Sequence, residues 1–158
     1  MTVYKRCTTN DWALLARLRI AMLEESPQAF NVKLGSQNAQ MWQTWANNAH
    51  EAKTSLVVFA FHDLAAAGMI SAHLVESVVH AGALWVDPRA RKQRIASNLI
   101  DQVETWAQEI GATCVQVGVS STNTASQKLF AQRSYVKRGD ISPTIHGGVE
   151  TLLRKTLR

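Results

Sequence analysis

The stretch Val86–Ile100, VDPRARKQRIASNLI, constrains the fold of this chain more than any other. It starts at the end of the apolar run Ala81–Val86, breaks at Asp87-Pro88, and passes through a basic turn. Ile95, Leu99, Val103, Trp106 and Ile110 then recur at helical spacing, and Gly111 supplies a C-terminal cap, so a helix is predicted over 94–110. Thr113–Val119 follows as a strand. A strand, an amphipathic helix and a second strand in succession point to a layered α/β or α+β domain.

The turn also carries a chemical signal. Arg89, Arg91, Lys92 and Arg94 crowd the point where the helix begins. A helix start presents unpaired N–H groups and partial positive charge, and cations placed there cost about 0.3–1 kcal/mol each. An anion seated in the turn, such as a pyrophosphate, would reverse that cost. The competing explanation is a solvated basic turn that happens to precede a helix.

The remaining elements fall around this segment. Residues 3–7 read as a first strand, and Thr9-Asn10-Asp11 offers caps for a helix whose inner face is Leu14, Leu15, Leu18 and Met22. Pro27 ends it. Residues 31–40 read as a loop, and Met41, Trp42 and Trp45 mark a shorter helix to about Ala49. Ser55–Phe61 and Ala66–Val75 form a hairpin around His62-Asp63, with Ala81–Val86 as the next strand. Ser120–Asn123 caps a helix over 124–133, Tyr135–Arg138 is a short strand, Pro143 and Gly147-Gly148 mark a loop, and Val149–Leu157 closes the chain as a strand. Strands consecutive in the middle and alternating with helices later give a mixed sheet rather than an all-parallel one. With 158 residues, 46% hydrophobic and 18% charged, one domain over 1–158 is expected.

Composition narrows the function classes. No apolar run approaches the roughly 18 residues of a membrane span, and Arg17 and Arg19 interrupt the first apolar segment, so neither a membrane role nor a signal peptide is expected and a cytoplasmic location follows by default. Cys7 and Cys114 stand far apart with no metal-ligand spacing, so two reduced thiols and no metal are expected. There is no G-x-S-x-G elbow, no P-loop and no H-E-x-x-H. The net charge of +5 fits an anionic ligand or nucleic acid, but the five tryptophans do not interleave with the basic turn as a single-strand platform would.

Two segments together carry a family resemblance. Arg91-Lys92-Gln93-Arg94-Ile95-Ala96, preceded by Val86-Asp87-Pro88, is similar to the R/Q-x-x-G-x-G/A loop of the GNAT superfamily of N-acetyltransferases. Asn123, Ser126, Leu129-Phe130 and Ser134-Tyr135 resemble the downstream pattern of that family. Leu18 through Glu25-Ser-Pro-Gln-Ala-Phe30 looks like its first helix and following loop, and Trp45 falls where its second helix has an aromatic. The resemblance implies a mixed, mostly antiparallel central sheet of about seven strands flanked by about four helices. It also implies acetyl-CoA as acyl donor, held by Leu84, Val86, Arg91, Lys92, Gln93, Arg94, Ile95, Ala96, Ser97, Asn123 and Phe130, and direct transfer to a primary amine of a small molecule or peptide. Backbone N–H groups near Leu84–Val86 would polarise the thioester carbonyl. A homodimer is a common state among similar proteins.

The chain departs from the family pattern at three positions. Lys92 and Arg94 replace glycines whose freedom lets the backbone approach phosphate. Either Arg94 points outward and the backbone still cradles phosphate, or its side chain contacts phosphate, or binding is lost. Phe130 replaces the tyrosine assigned as general acid, which leaves that role open among a neighbouring Ser, Tyr135, water or no specific acid. Glu76, at a strand end, is the expected base for the acceptor ammonium, with His73 and His80 as alternatives. A non-catalytic acyl-CoA-binding domain of the same fold is the second reading, and a nucleic-acid module using the basic turn the third. The acceptor pocket is expected from about 18–48 and 139–148, where Glu24, Glu25, Asp140, Lys33 and Arg138 mix both charges.

Overall fold

The computed structural model describes residues 1–30, 38–51, 53–141 and 148–158. Seven strands, β1 (Thr2–Arg6), β2 (Ser55–His62), β3 (Ala65–Val75), β4 (Val78–Val86), β5 (Cys114–Ser120), β6 (Val136–Ile141) and β7 (Glu150–Thr156), form one sheet in the order β1-β2-β3-β4-β5-β7-β6. Only β4 and β5 run parallel; every other neighbouring pair is antiparallel. The helices are α1 (Trp12–Glu25), α2 (Ala39–Glu51), α3 (Ile95–Glu109) and α4 (Thr124–Gln132). This is the mixed, mostly antiparallel architecture that the resemblance implied.

Strands buried on both faces read as continuous apolar runs, because alternate residues feed different cores. In β2, Leu56, Val58 and Ala60 join the core under α3, while Val57 and Phe59 join the core under α1 and α2. Ile95, Leu99, Val103 and Trp106 are the stripe that α3 buries, as its spacing predicts. Each large apolar side chain so removed from water stabilises the fold by about 1.5–3 kcal/mol. Both cysteines are buried and free, and burial, aided by the Asp11 charge, pushes the Cys7 thiol up to about 12.

Several boundaries differ from the sequence expectation. β4 starts at Val78 rather than Ala81, because Val78–His80 pair with both β3 and β5. β6 runs on to Ile141, since its pairing with β7 resumes beyond an irregularity between Lys137 and Gly139. Ala39-Gln40 belongs to α2, while residues 31–37 of the expected loop, with Lys33, lie outside the described residues, as do Pro143 and Gly147. Thr9–Asp11 forms a short 3-10 turn closed by Asp11, whose carboxylate accepts from the Thr8 N–H at 2.8 Å and hydroxyl at 3.0 Å. No helix among the described residues is long and apolar enough to cross a membrane, and no group of three or more potential metal ligands occurs among them.

Candidate functional site

A local defect in β4 creates the site. Met69 pairs with Trp85 and Ser71 with Gly82, so Ala83 and Leu84 together face Ile70 alone. This bulge, with Ala83 at φ +51°, bends the strand. The β4–β5 ladder holds only from Val78–Cys114 to Ala81–Val117. Past that pair the two strands have no mutual partners, and a cleft of about 590 Å³ opens between them. Its walls are Gly82–Val86 of β4, Val117–Val119 of β5, the turn from Ala90 to Ser97, the start of α4 and the segment after α1.

Most of the expected ligand-holding residues converge there. Leu84, Val86, Arg91, Lys92, Arg94, Ile95, Ala96, Ser97, Asn123 and Phe130 all line the cleft, whereas Gln93 does not. Gln93 is an exposed turn residue between two residues in the left-handed region, and its side chain projects elsewhere. Lys92 stands at φ +63° and Arg94 at φ +64°. The turn therefore demands the backbone that glycine provides most readily, and this chain meets the demand with two cations. The first ladder bond of α3 runs from the Asn98 N–H to the Arg94 carbonyl at 3.0 Å. The N–H groups of Ile95, Ala96 and Ser97 thus have no intrahelical acceptor, and all three residues line the cleft.

The four cations divide into two pairs. Arg89 is folded back on Asp87, donating to both carboxylate oxygens at 3.1 and 2.9 Å. Arg91 donates to the Val86 carbonyl at 2.9 Å and to both oxygens of Glu25 at 3.1 Å. Burial acts to raise the Glu25 pKa, but hydrogen bonds from Ser26, Trp85 and Arg91 outweigh it and hold the carboxyl below its ordinary value. Lys92 and Arg94 have no ion-pair partner among the described residues. Two cations are therefore spent on internal anchoring, and two remain beside the open helix start.

Asn123 caps α4, its side-chain oxygen accepting from the Ser126 N–H at 3.2 Å. Phe130 is buried and meets Tyr135 edge-on, with ring centroids 5.0 Å apart. The Tyr135 hydroxyl donates to Glu104 at 2.9 Å, and burial raises its pKa strongly, so it is not placed as an acid for the cleft. The Ser97 hydroxyl is held by Arg133 at 2.7 Å, which ties the first turn of α3 to the end of α4.

Glu76, the expected base, lies away from the cleft. It is exposed, at φ +57° in the turn joining β3 to β4, next to the pair Val75–Val78. The cleft opens only beyond Ala81, toward the opposite end of β4, so Glu76 and the cleft lie at opposite ends of the strand. His73 and His80 face each other across β3 and β4 with ring centroids 5.4 Å apart, one row short of the fork, and do not line the cleft. Burial, the adjacent His73 and Arg154 lower the His80 pKa.

Sequence reasoning missed Trp85 and two glycines of the site, whereas the segment after α1 falls within the expected acceptor region of about 18–48. Trp85 donates its indole N–H to Glu25 at 3.0 Å, and Ser26, Ala29 and Phe30 bring the segment after α1 into the wall. Gly82 and Gly118 also line the cleft, at facing positions where the strands part. The glycines were visible as breaks in apolar strands, a signal for close approach or a bulge.

Similarity to known proteins agrees with this geometry. No curated protein sequence matches the chain. Among solved structures, an acetyltransferase of the GNAT family from Streptococcus pneumoniae superposes with a TM-score of 0.85 at 16% identity, with 100% of each chain covered. An N-acetyltransferase from Staphylococcus aureus Mu50 gives 0.86 at 14% identity, covering 100% of this chain and 99% of that one. A ribosomal L7/L12 alpha-N-protein acetyltransferase in complex with coenzyme A gives 0.81 at 13% identity, covering 99% and 94%. At these identities the likeness establishes the shared fold. The profile of the acetyltransferase (GNAT) family matches residues 19–135, which include the second half of α1, the forked strands, the basic turn and the Asn123–Tyr135 segment, and the chain therefore belongs to the GNAT acetyltransferase family.

Proposed function

We propose that this acetyltransferase uses acetyl-CoA as donor and passes the acetyl group directly to a primary amine of a small molecule or peptide. The observation that carries the proposal is the meeting of three features in one cleft: an open β4 edge, the outward N–H groups at the start of α3, and two cations without internal partners. The N–H groups of Ile95, Ala96 and Ser97, with Lys92 and Arg94, would hold the pyrophosphate. The β4 backbone from Leu84 to Val86 would take an amide-bearing arm along its unpaired edge and orient N–H donors toward the carbonyl that reacts. The donor supplies an activated acetyl thioester. A thiolate leaves readily enough that Phe130, which has no proton to give, does not block the reaction.

The test is a thermal melt with acetyl-CoA, followed by thiol release with a panel of amines. Acetyl-CoA at millimolar concentration should raise the Tm, since a ligand at about 100 times its Kd adds about 2.7 kcal/mol. A96E, which places a carboxylate among the phosphate-facing N–H groups, should abolish that shift while leaving the ligand-free Tm within a few degrees. No shift with the wild-type chain refutes the proposal. Phe130 favours one second reading, a non-catalytic acyl-CoA-binding domain, for which the shift would occur without turnover of any amine.

A further inference from the structure

We infer that Glu150 is the group that receives the acceptor ammonium and takes its proton, on the side of the sheet opposite α3. The inference rests on the acetyltransfer proposed above and names the substrate charge that the site selects.

The geometry begins with the fork. Val117 and Val119 point into the α3 core, so Gly118 and Ser120 face the other side, and Gly82, next to Ala81 of that core, faces the same side. At the first level past the last β4–β5 pair both strands thus carry glycine. A Cβ built on Gly82 would meet nothing within 4 Å, so the surface there is open. Gly118 differs: a Cβ built on it would fall 2.6 Å from the Glu150 carboxyl carbon and 3.0 Å from its Cγ. Glu150 stands opposite Ser120 in the register, and its side chain reaches diagonally back over Gly118. The carboxylate therefore rests on the bare backbone at the fork, in the space that a side chain at position 118 would take. Since Gly82 and Gly118 also line the cleft, the fork joins this face to the donor side.

Glu150 makes no hydrogen bond or ion pair among the described residues. Burial alone raises its pKa above the ordinary 4.5. The charged groups on the strands around it are otherwise engaged or distant. Arg154 donates to Gln116 at 3.1 and 2.7 Å, His80 stacks on His73, and Lys137 pairs with Asp140 at 3.4 Å. Glu150 does not itself line the cleft, but its half-buried, unpartnered carboxylate lies over Gly118, which does, and a carboxylate so placed attracts a cation and repels an anion.

The step balances as follows. The acceptor arrives mainly as an ammonium near pH 7, because such amines have pKa values from about 8 for a peptide N-terminus to about 10 for an alkylamine. Glu150 accepts one proton and frees the nitrogen lone pair. That nitrogen bonds to the acetyl carbon while the C–S bond breaks and sulfur leaves with the electron pair. The second N–H proton passes to the thiolate or to water, and Glu150 returns its proton to solvent.

The experiment measures thiol release from acetyl-CoA with ethanolamine, putrescine, spermidine, lysine and a short peptide with a free N-terminus. The best acceptor is then compared across the wild type, E150Q, E150D, G118A and E76Q. E150Q should lower kcat/KM about 100-fold or more near pH 7, the usual range for a lost base. It should keep the acetyl-CoA melt shift and recover part of its rate at high pH, where the free amine is abundant. E150D should recover part of the rate. G118A, which pushes the carboxylate aside without touching it chemically, should lower kcat/KM about 10-fold, and E76Q should stay within 2-fold of wild type. The inference is overturned if E150Q stays within 3-fold of wild type, if its acidic limb is unmoved, or if E150Q loses the acetyl-CoA shift along with activity. A donor shift with no amine turned over by the wild type overturns it together with the acetyltransfer proposal. A turned-over amine with normal E150Q overturns it alone.

Discussion

Replacing Arg94 by glycine should move stability and donor affinity in opposite directions. In the ligand-free chain Arg94 sits at φ +64° at the start of α3. Left-handed backbone costs an L-residue about 1–2 kcal/mol, which glycine avoids. Glycine gives back about 0.5–1 kcal/mol through the extra freedom of the unfolded chain. Removing a cation from the positive end of the helix adds about 0.3–1 kcal/mol. The sum is a gain of about 1 kcal/mol, or about 2–4 °C in Tm for a chain of this length. The backbone term is present with and without ligand and therefore cancels in the affinity. What remains, if the turn holds the pyrophosphate as proposed, is the loss of a charged donor beside the free N–H groups of the helix start, about 1–2 kcal/mol at an accessible position. That corresponds to a Kd for CoA about 5–30 times weaker. Calorimetric melts of the ligand-free protein and titration with CoA at two salt concentrations read both quantities. The affinity difference should shrink at high salt, where charge is screened. Equal or tighter CoA binding by R94G would refute the assignment of the guanidinium to phosphate, and a lower ligand-free Tm would refute the strain argument.

Two further outcomes follow from internal contacts. E25Q should lose about 1 kcal/mol at neutral pH, because Arg91 and the Trp85 indole lose an ionised acceptor that is only partly screened by solvent; the Glu25 carboxyl is depressed in the folded state, so its contribution is present above the ordinary value of 4.5 and fades as pH falls through the lower folded value, and the wild-type and E25Q melting curves should converge in acid and stay apart if the pair is not the cause. Arg19 is buried at 4% exposure, stacks 5.1 Å from the Trp45 ring centroid and leaves its Nε without a partner, and burial lowers its pKa to about 10; R19M keeps the aliphatic bulk and should raise stability by about 1–2 kcal/mol in urea unfolding, whereas a loss would show that the cation–ring contact outweighs desolvation.

The order of strands and helices was legible because each element carries its own period. The α3 stripe needs only spacing, and strands such as β2 announce double burial by unbroken apolar runs. The basic turn was legible too, since its four cations fall within six residues of the chain and stand against the helix dipole. That Lys92 and Arg94 keep the left-handed backbone expected of glycine was not, because positive φ is imposed by the turn they close and not by their own preference. The division of the four cations was equally hidden. Glu25 lies 66 residues before Arg91, and only the packing of α1 on β4 brings the two together. The place of Glu76 was hidden for the same reason. Glu76 is near the cofactor strand in sequence, but a strand has two ends, and the bulge at Ala83-Leu84 decides which end opens. Glu150 reaches the fork from β7, through a register that no local pattern encodes. Sequence alone settled which segments fold into strands and helices and where cations gather at a helix start, because those depend on periodicity and neighbouring charge. Tertiary structure decided which side chains stand at the fork, because that depends on strand pairing across the chain.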